Sequence, residues 1–438
     1  MQNCEFSPAN LRADLVKRVP STLLPRALEP RAQEILDFSP VLTLEGARQV
    51  GKSTLAQMLA ASRPATAITL DDPGAFAAAR RDPRGFVDQA PDRTLIIDEI
   101  QRVPELTIAV KASVDRDRRP GRFILTGSSD LARVRGDKDS LAGRAMGLRM
   151  FPLSQAEADG SAPTTFVDRL LAAGTDLDSL HDAPAIDRHK LIERVVRGGY
   201  PAIRNASPRL RSRWLSDYAN HLLRVDAVED GSRLNPGRLE AVLRLLAANQ
   251  SGELVKARLA QEGALPASSV TAYLDALSRL YLVETLRPWS PNLTTREIGR
   301  PKVLVADSGL AARLMGITSA VLNDVVAGAK ALGSLLEGFV VGELRAQQEW
   351  ADTDYRLFRW RDRSGKEVDV VIELTDGSAI ALEVKSARSL TARHFTGLDF
   401  LRERLGERLR AGIVLAPLDA PLRYAPGLWG LPVSVLWR

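Results

Sequence analysis

Short apolar runs that end in Gly, Asp or Ser recur between residues 41 and 129. In chain order they read VLTLEG, TAITLDD, RTLIIDE and RFILTGSS. Stretches that suit helices lie between them, for example STLAQMLAAS and ELTIAVKASVDRD. Continuous apolar strands that alternate with helices predict a parallel sheet whose two faces are both covered. We therefore expect an α/β nucleotide-binding domain over residues 39–155.

The segments on either side of this domain favour helices. Residues 1–38 read as a helical segment that Pro20, Pro25 and Pro30 interrupt. Residues 156–230 contain Gly-, Pro- and Asp-rich loops followed by helical stretches such as SRWLSDYANHLLRVDAV. This composition predicts a helical lid or connector.

Residues 231–320 contain three helical stretches and then a strand candidate. The helices read GRLEAVLRLLAANQ, ELVKARLAQEG and SSVTAYLDALSRLYLVETL, and the strand reads KVLVADSG. Two helices, a longer helix and a β-wing follow one another in a winged helix-turn-helix domain, which is the fold we predict here.

Residues 321–438 predict a separate, mixed α/β domain. A helix, GSLLEGFVVGELRAQQEW, precedes three strands that read YRLFRWR, EVDVVIEL and AIALEVKSA. A second helix, FTGLDFLRERLG, and the strand AGIVLAPL follow.

Composition narrows the class of protein. The length of 438 residues predicts two to four domains. No uncharged apolar run reaches about 18 residues, so we expect no membrane span. The amino terminus lacks the apolar region of a secretory signal. Cys4 is the only cysteine, which excludes an internal disulfide and fits a reduced, cytoplasmic setting.

Charge and histidine content give little further information about nucleic-acid binding or a metal site. The net charge of +6 is compatible with nucleic-acid binding, although it is weak evidence for it. The histidines show no metal-binding spacing, and we expect them to be solvated or to have core partners. They are His181, His189, His221 and His394.

Residues 46–53 fit the phosphate-binding pattern GxxxxGK[ST] at every fixed position, with a strand before them and a helix after them. The glycines let successive backbone N–H groups point at phosphate, and the helix N-terminus adds positive potential. We expect Lys52 to reach the β- and γ-phosphates and Ser53 to hold Mg²⁺. The predicted ATP-binding residues are Gly46, Ala47, Arg48, Gln49, Val50, Gly51, Lys52, Ser53 and Thr54.

The run LIIDE is the second nucleotide motif. Its apolar residues, Leu95, Ile96 and Ile97, predict a central strand that delivers Asp98 to its carboxyl end, where ligands bind in open α/β sheets. We expect Asp98 to bind Mg²⁺ through water, and Glu99 to orient and deprotonate the attacking water. A solvated carboxylate at a strand end is the plain alternative for Glu99.

Two further candidates follow the next strand. Thr126 and Ser128 lie at the tip of FILTGSS, where a polar group would sense the γ-phosphate, although ordinary turn chemistry fits equally well. Arg144, in SLAGR, is a candidate for stabilising transition-state charge, either in its own site or in a neighbour's.

These motifs, in this order and spacing, resemble a bacterial and archaeal branch of AAA-type ATPases. GARQVGKSTL, LIIDEIQRVPEL, FILTGSS and SLAGR carry the resemblance, and GGYPAIRN, RPKVLVADSGL, GSLLEGFVVGEL, EVDVVIE and ALEVKSA continue it. It covers about residues 25–438. The resemblance implies an AAA-like fold and a homo-oligomer, with a hexameric ring as one candidate form. It implies no settled biological role.

Asp369, Glu383 and Lys385 reproduce the D…ExK arrangement of restriction-endonuclease-like nucleases. Glu383 and Lys385 are two residues apart on a predicted strand and therefore point to the same face. Two carboxylates there would hold Mg²⁺ against a scissile phosphate, and the lysine would activate water or stabilise the pentavalent state. Glu337, on the preceding helix, is a third candidate metal ligand. The fold also serves as a non-cutting DNA-binding module, and alternating Glu and Lys is common on wet strand faces.

The predicted winged helix supplies the candidates for DNA contact. An apolar stripe on its third helix is assigned to the core; its members are Val270, Leu274, Leu277 and Leu280. Hydroxyls that could approach a phosphate come from Ser268, Ser269 and Thr271. The basic wing consists of Arg287, Arg296, Arg300 and Lys302. This wing favours DNA contact, while a protein–protein role and a solvated charged edge are the alternatives.

The leading hypothesis is therefore an ATP-hydrolysing, oligomeric protein that processes DNA. The alternative is a nucleotide-switched regulator or partner-binding protein, of a defence or toxin–antitoxin kind, whose nuclease-like carboxylates are vestigial. A motor that moves along DNA without cutting it is a third possibility.

Overall fold

Contacts divide the chain into two compact units, Met1–Met150 and Phe151–Arg438. The computed structural model describes residues 24–128, 141–174, 176–180, 185–226, 234–290 and 299–438. Sequence candidates outside these ranges are Cys4, Pro20, His181 and Arg296.

The first unit is built on a five-stranded sheet in which neighbouring strands run parallel. Its strands are β1 (Val41–Glu45), β2 (Ala65–Thr69), β3 (Thr94–Asp98), β4 (Phe123–Gly127) and β5 (Ala145–Arg149). Their spatial order is β2-β3-β4-β1-β5. The prediction of a parallel α/β sheet is confirmed. Because β4 lies between β1 and β3, the carboxyl ends of these three strands are neighbours at one sheet edge.

Helices connect these strands and cover the sheet. They span Glu29–Phe38, Lys52–Ala61, Pro73–Arg81, Pro83–Val87 and Glu105–Arg116, with a 3₁₀ turn at Ile100–Arg102. Leu95 and Ile97 of β3 are buried in one core with Phe123 and Leu125 of β4, while Ile96 is buried as well. Burial of consecutive residues explains why these strands read as continuous apolar runs rather than as alternating ones.

The second unit begins with helices, which span Gln155–Asp159, Phe166–Ala173, Arg188–Arg197 and Pro208–His221. A π-helical turn at Leu222–Asp226 and 3₁₀ turns at Leu177–Leu180 and Pro201–Ile203 complete this part. Hydrogen bonds join it to the rest of the same unit. Gln155 N donates to Glu343 Oε2 at 3.0 Å, and Ser308 Oγ donates to Val195 O at 2.8 Å.

Among residues 236–290 and 299–305, three helices and a small antiparallel sheet are described. The helices are Pro236–Ala248, Lys256–Glu262 and Ala267–Arg279, and the strands are β6 (Gly252–Glu253), β7 (Val283–Leu286) and β8 (Lys302–Val305). The predicted apolar stripe from Val270 to Leu280 is buried, as expected for core residues. The element order is typical of a winged helix, an assignment that stays a prediction.

The carboxyl-terminal part carries a six-stranded mixed sheet with the order β13-β14-β12-β11-β10-β9. Its strands are β9 (Tyr355–Arg361), β10 (Glu367–Leu374), β11 (Ala379–Val384), β12 (Leu409–Ala416), β13 (Leu422–Ala425) and β14 (Leu428–Pro432). The remaining helices are Ser308–Leu314, Ser319–Asn323, Ala329–Gln348 and Thr396–Leu405, with 3₁₀ turns at Ala392–Phe395, Gly406–Arg408 and Val433–Trp437. A mixed α/β architecture is confirmed, and the restriction-endonuclease-like fold stays a prediction.

Among the described residues, no helix combines the length and apolar character needed to cross a bilayer.

Candidate functional site

The predicted phosphate loop joins β1 to the helix Lys52–Ala61. Gly46 has a φ of +142°, and Gly51, which caps the helix, has a φ of +101°. A Cβ added to Gly46 would lie 2.2 Å from Met150 O, so no larger residue fits there. Among the described residues no side chain caps the helix, which leaves its first N–H groups available to an anion.

Lys52 folds its ammonium back over the phosphate loop. Its Nζ donates to Gly46 O and to Ala47 O, both at 2.9 Å, and the residue is buried. Phosphate oxygens form stronger, charge-assisted hydrogen bonds with an ammonium than carbonyl oxygens do. The loop, the helix N-terminus and Lys52 therefore fit a bound triphosphate.

Ser53 and Asp98 are in direct contact at the carboxyl edge of the sheet. The hydroxyl of Ser53 donates to the Asp98 carboxylate, with Oγ 2.9 Å from Oδ1 and 3.0 Å from Oδ2. Thr126, at the end of β4, also donates to Asp98 Oδ1 and accepts from Glu99 N at 3.2 Å. A hydroxyl and a carboxylate are oxygen ligands of the kind that Mg²⁺ prefers. The predicted metal-side pair thus lies together, and Thr126 contacts this pair.

Glu99 is held by two polar side chains at the strand tips. Its backbone turns sharply after β3, with a φ of +59°. Its Oε2 accepts from Ser128 Oγ at 3.2 Å and from Gln101 Nε2, and Gln101 Nε2 also lies 3.0 Å from Ser128 Oγ. Ser128 therefore contacts the predicted general base. Sequence reasoning missed Gln101, which lies two residues after Glu99 and is not part of a recognised motif.

Two arginines that sequence reasoning missed lie beside the phosphate loop. Arg26 is buried and donates from Nη1 to Val50 O at 2.6 Å. The same nitrogen lies 3.1 Å from the place where a Cβ of Gly51 would be. Arg149, the last residue of β5, pairs with Glu45, from which the loop departs. Neither arginine belongs to a local motif, so only the tertiary structure reveals them.

Arg144 lies at the opposite edge of the sheet from its own phosphate loop, an arrangement that does not fit a role in its own site. It precedes β5, whose first residue, Ala145, pairs with Val41 at the start of β1. Five residues of strand, about 16 Å, separate this edge from Gly46. The Arg144 guanidinium forms a bidentate ion pair with Asp115, at 2.6 and 3.0 Å. Action in a neighbouring chain stays a prediction.

In the second unit, the predicted nuclease-like carboxylates are brought together. Lys385 Nζ donates to Glu383 Oε1 and lies 3.9 Å from Asp369 Oδ2, so Glu383 and Lys385 do share a face. Asp369 Oδ2 also accepts from Val384 N at 2.9 Å. Asp369 lies within β10, and not at the end of that strand. The register between β10 and β9 shifts between Val368 and Val371, the segment that contains Asp369. Such a bulge re-aims a side chain.

Lys302 completes this cluster, which corrects its assignment to a solvent-facing basic wing. Its Nζ lies 2.7 Å from Glu337 Oε1 and 3.3 Å from Asp369 Oδ1, and only 8% of its side chain is exposed. The reason is that Lys302 is the first residue of β8, so the strand directs it inward toward the helix Ala329–Gln348. We call Lys302, Glu337, Asp369, Glu383 and Lys385 the carboxylate–lysine cluster.

Burial sets the electrostatics of this cluster. It raises the pKa of Glu337 to about 8 and, together with the neighbouring Asp369, the pKa of Glu383 to about 8. Burial opposes the charged form of Lys302, but Asp369 and Glu337 outweigh it and raise the Lys302 pKa above its ordinary value. The pKa of Lys385 is raised as well, because Asp369 and Glu383 outweigh its burial.

The predicted Mg²⁺ ligands Glu337, Asp369 and Glu383 do not form an open metal site. Within the part of the chain that the structure describes, no group of three or more His, Cys, Asp or Glu could hold a metal ion. The physical reason is the ammonium of Lys302, which lies between two of the carboxylates.

The predicted DNA-contacting surface is less basic than its sequence suggested. Arg287 and Arg300 are exposed, but Lys302 is buried. On the helix Ala267–Arg279, Ser268 and Thr271 are exposed, and Thr271 accepts from Lys256 Nζ at 3.1 Å. DNA contact through this region stays a prediction.

Three protein families match parts of the chain. Residues 38–158 match the family described as an AAA domain. Residues 188–321 and 332–436 match two families described as domains of unknown function, DUF8612 and DUF4143. The AAA match covers the phosphate loop and the strands that carry Asp98, Glu99 and Thr126.

Individual relatives extend the similarity to most of the chain. The uncharacterized proteins Rv2008c of Mycobacterium tuberculosis and Mb2031c of Mycobacterium bovis are each 29% identical over 359 residues, covering 81% of this chain and 72% of their own. Among solved structures, the Walker-type ATPase PABY2304 of Pyrococcus abyssi is 18% identical, with a TM-score of 0.42, over 67% of this chain and 96% of that one. A TM-score of this size does not by itself establish a common fold.

Proposed function

We propose that this chain, whose first unit is an AAA-type P-loop ATPase domain, hydrolyses ATP at the carboxyl edge of its parallel sheet. The contact between Ser53 and Asp98 carries the proposal, since it joins the phosphate-loop helix to the strand that bears the acidic pair. Glu99 follows Asp98 directly, and its carboxylate accepts hydrogen bonds from Ser128 and Gln101.

Each residue has a distinct task in this proposal. Lys52 exchanges its carbonyl partners for phosphate oxygens, and these stronger hydrogen bonds stabilise the bound nucleotide. Ser53 and Asp98 are the residues that would hold Mg²⁺, an ion that neutralises phosphate charge when it is bound. The Glu99 carboxylate accepts a proton from the attacking water. Gln101 orients Glu99 for this transfer.

The test compares two glutamine variants of the same segment. Glu99→Gln removes the proposed base, whereas Glu105→Gln removes an exposed carboxylate six residues further along. ATP turnover should fall by about 10²- to 10⁴-fold in Glu99→Gln. It should stay at the wild-type level in Glu105→Gln, and both variants should still bind ATP. Normal turnover in Glu99→Gln would exclude this residue as the base.

We further propose that the protein acts as a homo-oligomer in which Arg144 serves the site of a neighbouring copy. Its position far from its own phosphate loop supports this role, since an arginine supplied in trans can stabilise transition-state charge. Mixing inactive Glu99→Gln chains with inactive Arg144→Ala chains should restore turnover at about one quarter of the interfaces. Full activity of Arg144→Ala alone, or no recovery on mixing, would contradict the proposal.

A role on DNA is the finer proposal for the second unit, supported by exposed Arg287 and Arg300 and by the net positive charge. Binding of duplex, branched and single-stranded DNA should weaken in the Arg287→Ala/Arg300→Ala double variant. The slope of log affinity against log salt should fall by about two. The control, Arg209→Ala/Arg404→Ala, removes the same charge from exposed positions elsewhere in the unit.

A nucleotide-switched regulator is the second candidate function, and one observation favours it. Metal-dependent cleavage needs a divalent cation between the carboxylates, whereas Lys302 lies between two of them. Under this candidate the wild-type chain neither cuts DNA in Mg²⁺ nor requires DNA for ATP turnover. DNA cutting that disappears in Asp369→Ala would exclude it.

A further inference from the structure

The carboxylate–lysine cluster is assembled from four separate elements. Lys302 begins β8, Glu337 lies on the helix Ala329–Gln348, and Asp369 lies on β10. Glu383 lies on β11, and Lys385 follows that strand directly. Because no two of the first four belong to one element, the cluster forms only when all four elements have packed. Its lysine from β8 is therefore placed by tertiary structure.

The cluster holds more carboxylates than ammonium groups. Lys302 binds Glu337 at 2.7 Å and Asp369 at 3.3 Å, and Lys385 pairs with Glu383. The second oxygen of Glu383, Oε2, is buried and has no hydrogen-bond partner among the described residues. A buried carboxylate oxygen without a partner is costly, and a cation would relieve that cost.

An ammonium and a divalent cation compete for this space. A divalent ion bound to carboxylate oxygens lies about 2.0 to 2.6 Å from each of them. Bound to the Glu337 and Asp369 oxygens that Lys302 contacts, it would lie close to Nζ, and two positive charges at short range repel strongly in a buried setting. Either cation can balance Glu337 and Asp369, but both cannot do so together.

We propose that Lys302 is a built-in counter-ion that closes the carboxylate cluster to divalent cations, and that its ammonium occupies the place such an ion would take between Glu337 and Asp369. Removal of that ammonium opens the cluster to a metal ion. This inference concerns the second unit alone, so it does not depend on ATP hydrolysis.

The direct test is a titration of the full chain with Mn²⁺ alone, followed by electron paramagnetic resonance. Lys302→Met keeps a side chain of similar length but removes the charge, and Lys302→Gln is a second, polar replacement. Both variants should bind one more Mn²⁺ ion per chain than the wild type binds. The additional site should vanish in Lys302→Met/Asp369→Asn. The control, Lys330→Met, removes an exposed lysine near the start of the helix Ala329–Gln348 and should gain no site.

Folding of the variants has its own readout. All six tryptophans lie in the second unit, so tryptophan fluorescence reports on that unit alone. A Lys302 variant that unfolds in chelator should regain the wild-type spectrum when Mn²⁺ is added, while the wild type should not respond. The proposal is overturned if neither variant binds or is restored by millimolar Mn²⁺. It is also overturned if the wild type binds Mn²⁺ at a site that Asp369→Asn abolishes.

Discussion

Ser53 Oγ lies 2.9 Å from Asp98 Oδ1, although 45 residues separate the two in the chain. The topology brings them together, because β4 lies between β1 and β3 and all three strands end at one edge. The hydroxyl and the carboxylate that are in contact here belong to the two residues that the sequence motifs predict to hold Mg²⁺.

Ser53→Ala should lower Mg²⁺-dependent ATP turnover by a factor on the order of 100, because it removes the hydroxyl ligand proposed for the metal. Initial rates measured over a range of Mg²⁺ concentrations check this, and high Mg²⁺ should recover part of the loss. Ser62→Ala is the matched control, since this exposed serine bonds only near the end of the same helix, to Leu59 O and Gln33. Equal rates in the two variants would contradict the assignment.

Gln101→Ala should lower kcat by about tenfold, which corresponds to about 1.4 kcal/mol, while the affinity for ATP stays nearly unchanged. The reason is that Gln101 contacts Glu99 and Ser128 and therefore orients the base rather than the nucleotide. Steady-state kinetics together with a separate binding titration distinguish the two effects. A weaker affinity at unchanged kcat would assign Gln101 to nucleotide binding instead.

Gly46→Ala should destabilise the first unit by about 3 kcal/mol or more, because the added Cβ meets Met150 O at 2.2 Å and φ is +142°. Gly143→Ala is the control: its φ of +69° is also positive, but nothing lies within 4 Å of the added Cβ. It should cost only about 1–2 kcal/mol. The first unit contains no tryptophan or tyrosine, so hydrogen exchange of peptides from β1 and β4 is the suitable measurement. Equal losses would show that the loop relaxes.

The protonation of Glu343 makes the stability of the second unit depend on pH. Burial raises the pKa of Glu343 to about 7, with Glu157 adding to this effect and Arg194 opposing it. Between its unfolded pKa of about 4.5 and this value, the folded state binds more protons, so stability is lost as pH rises. Urea unfolding, followed by tryptophan fluorescence, should show the wild type losing about 3 kcal/mol more than Glu343→Gln between pH 5 and 8. Parallel pH profiles would contradict this.

Local motifs predicted the candidate site of the first unit because its functional residues lie close together in the sequence. Gly46, Lys52 and Ser53 lie within eight residues, and Asp98 and Glu99 end an apolar strand. The parallel sheet follows from the same apolar runs. The sequence left open which site Arg144 serves because β5 lacks such a run: AMGLR is partly exposed at the sheet edge, so its direction and register were not recognised.

Contacts between distant elements could not be predicted from one sequence. Arg26 contacts Val50 across 24 residues, and Lys302 reaches Asp369 across 67. The residue pattern around Lys302, RPKVLVADSG, resembles the basic end of a wing, and only the packing of β8 shows that its first side chain points inward. The ExK spacing predicted that Glu383 and Lys385 share a face, but it did not indicate that Lys302 contacts Asp369 and Glu337.

The most direct test of the ATP site is calorimetric titration of the purified, Mg²⁺-supplemented chain with a non-hydrolysable ATP analogue. The account predicts heat of binding for one analogue per chain. It also predicts that this heat is lost in Lys52→Ala, which lacks the ammonium that contacts the phosphate loop. Absence of binding heat from the wild type, or equal affinity in Lys52→Ala, would contradict it.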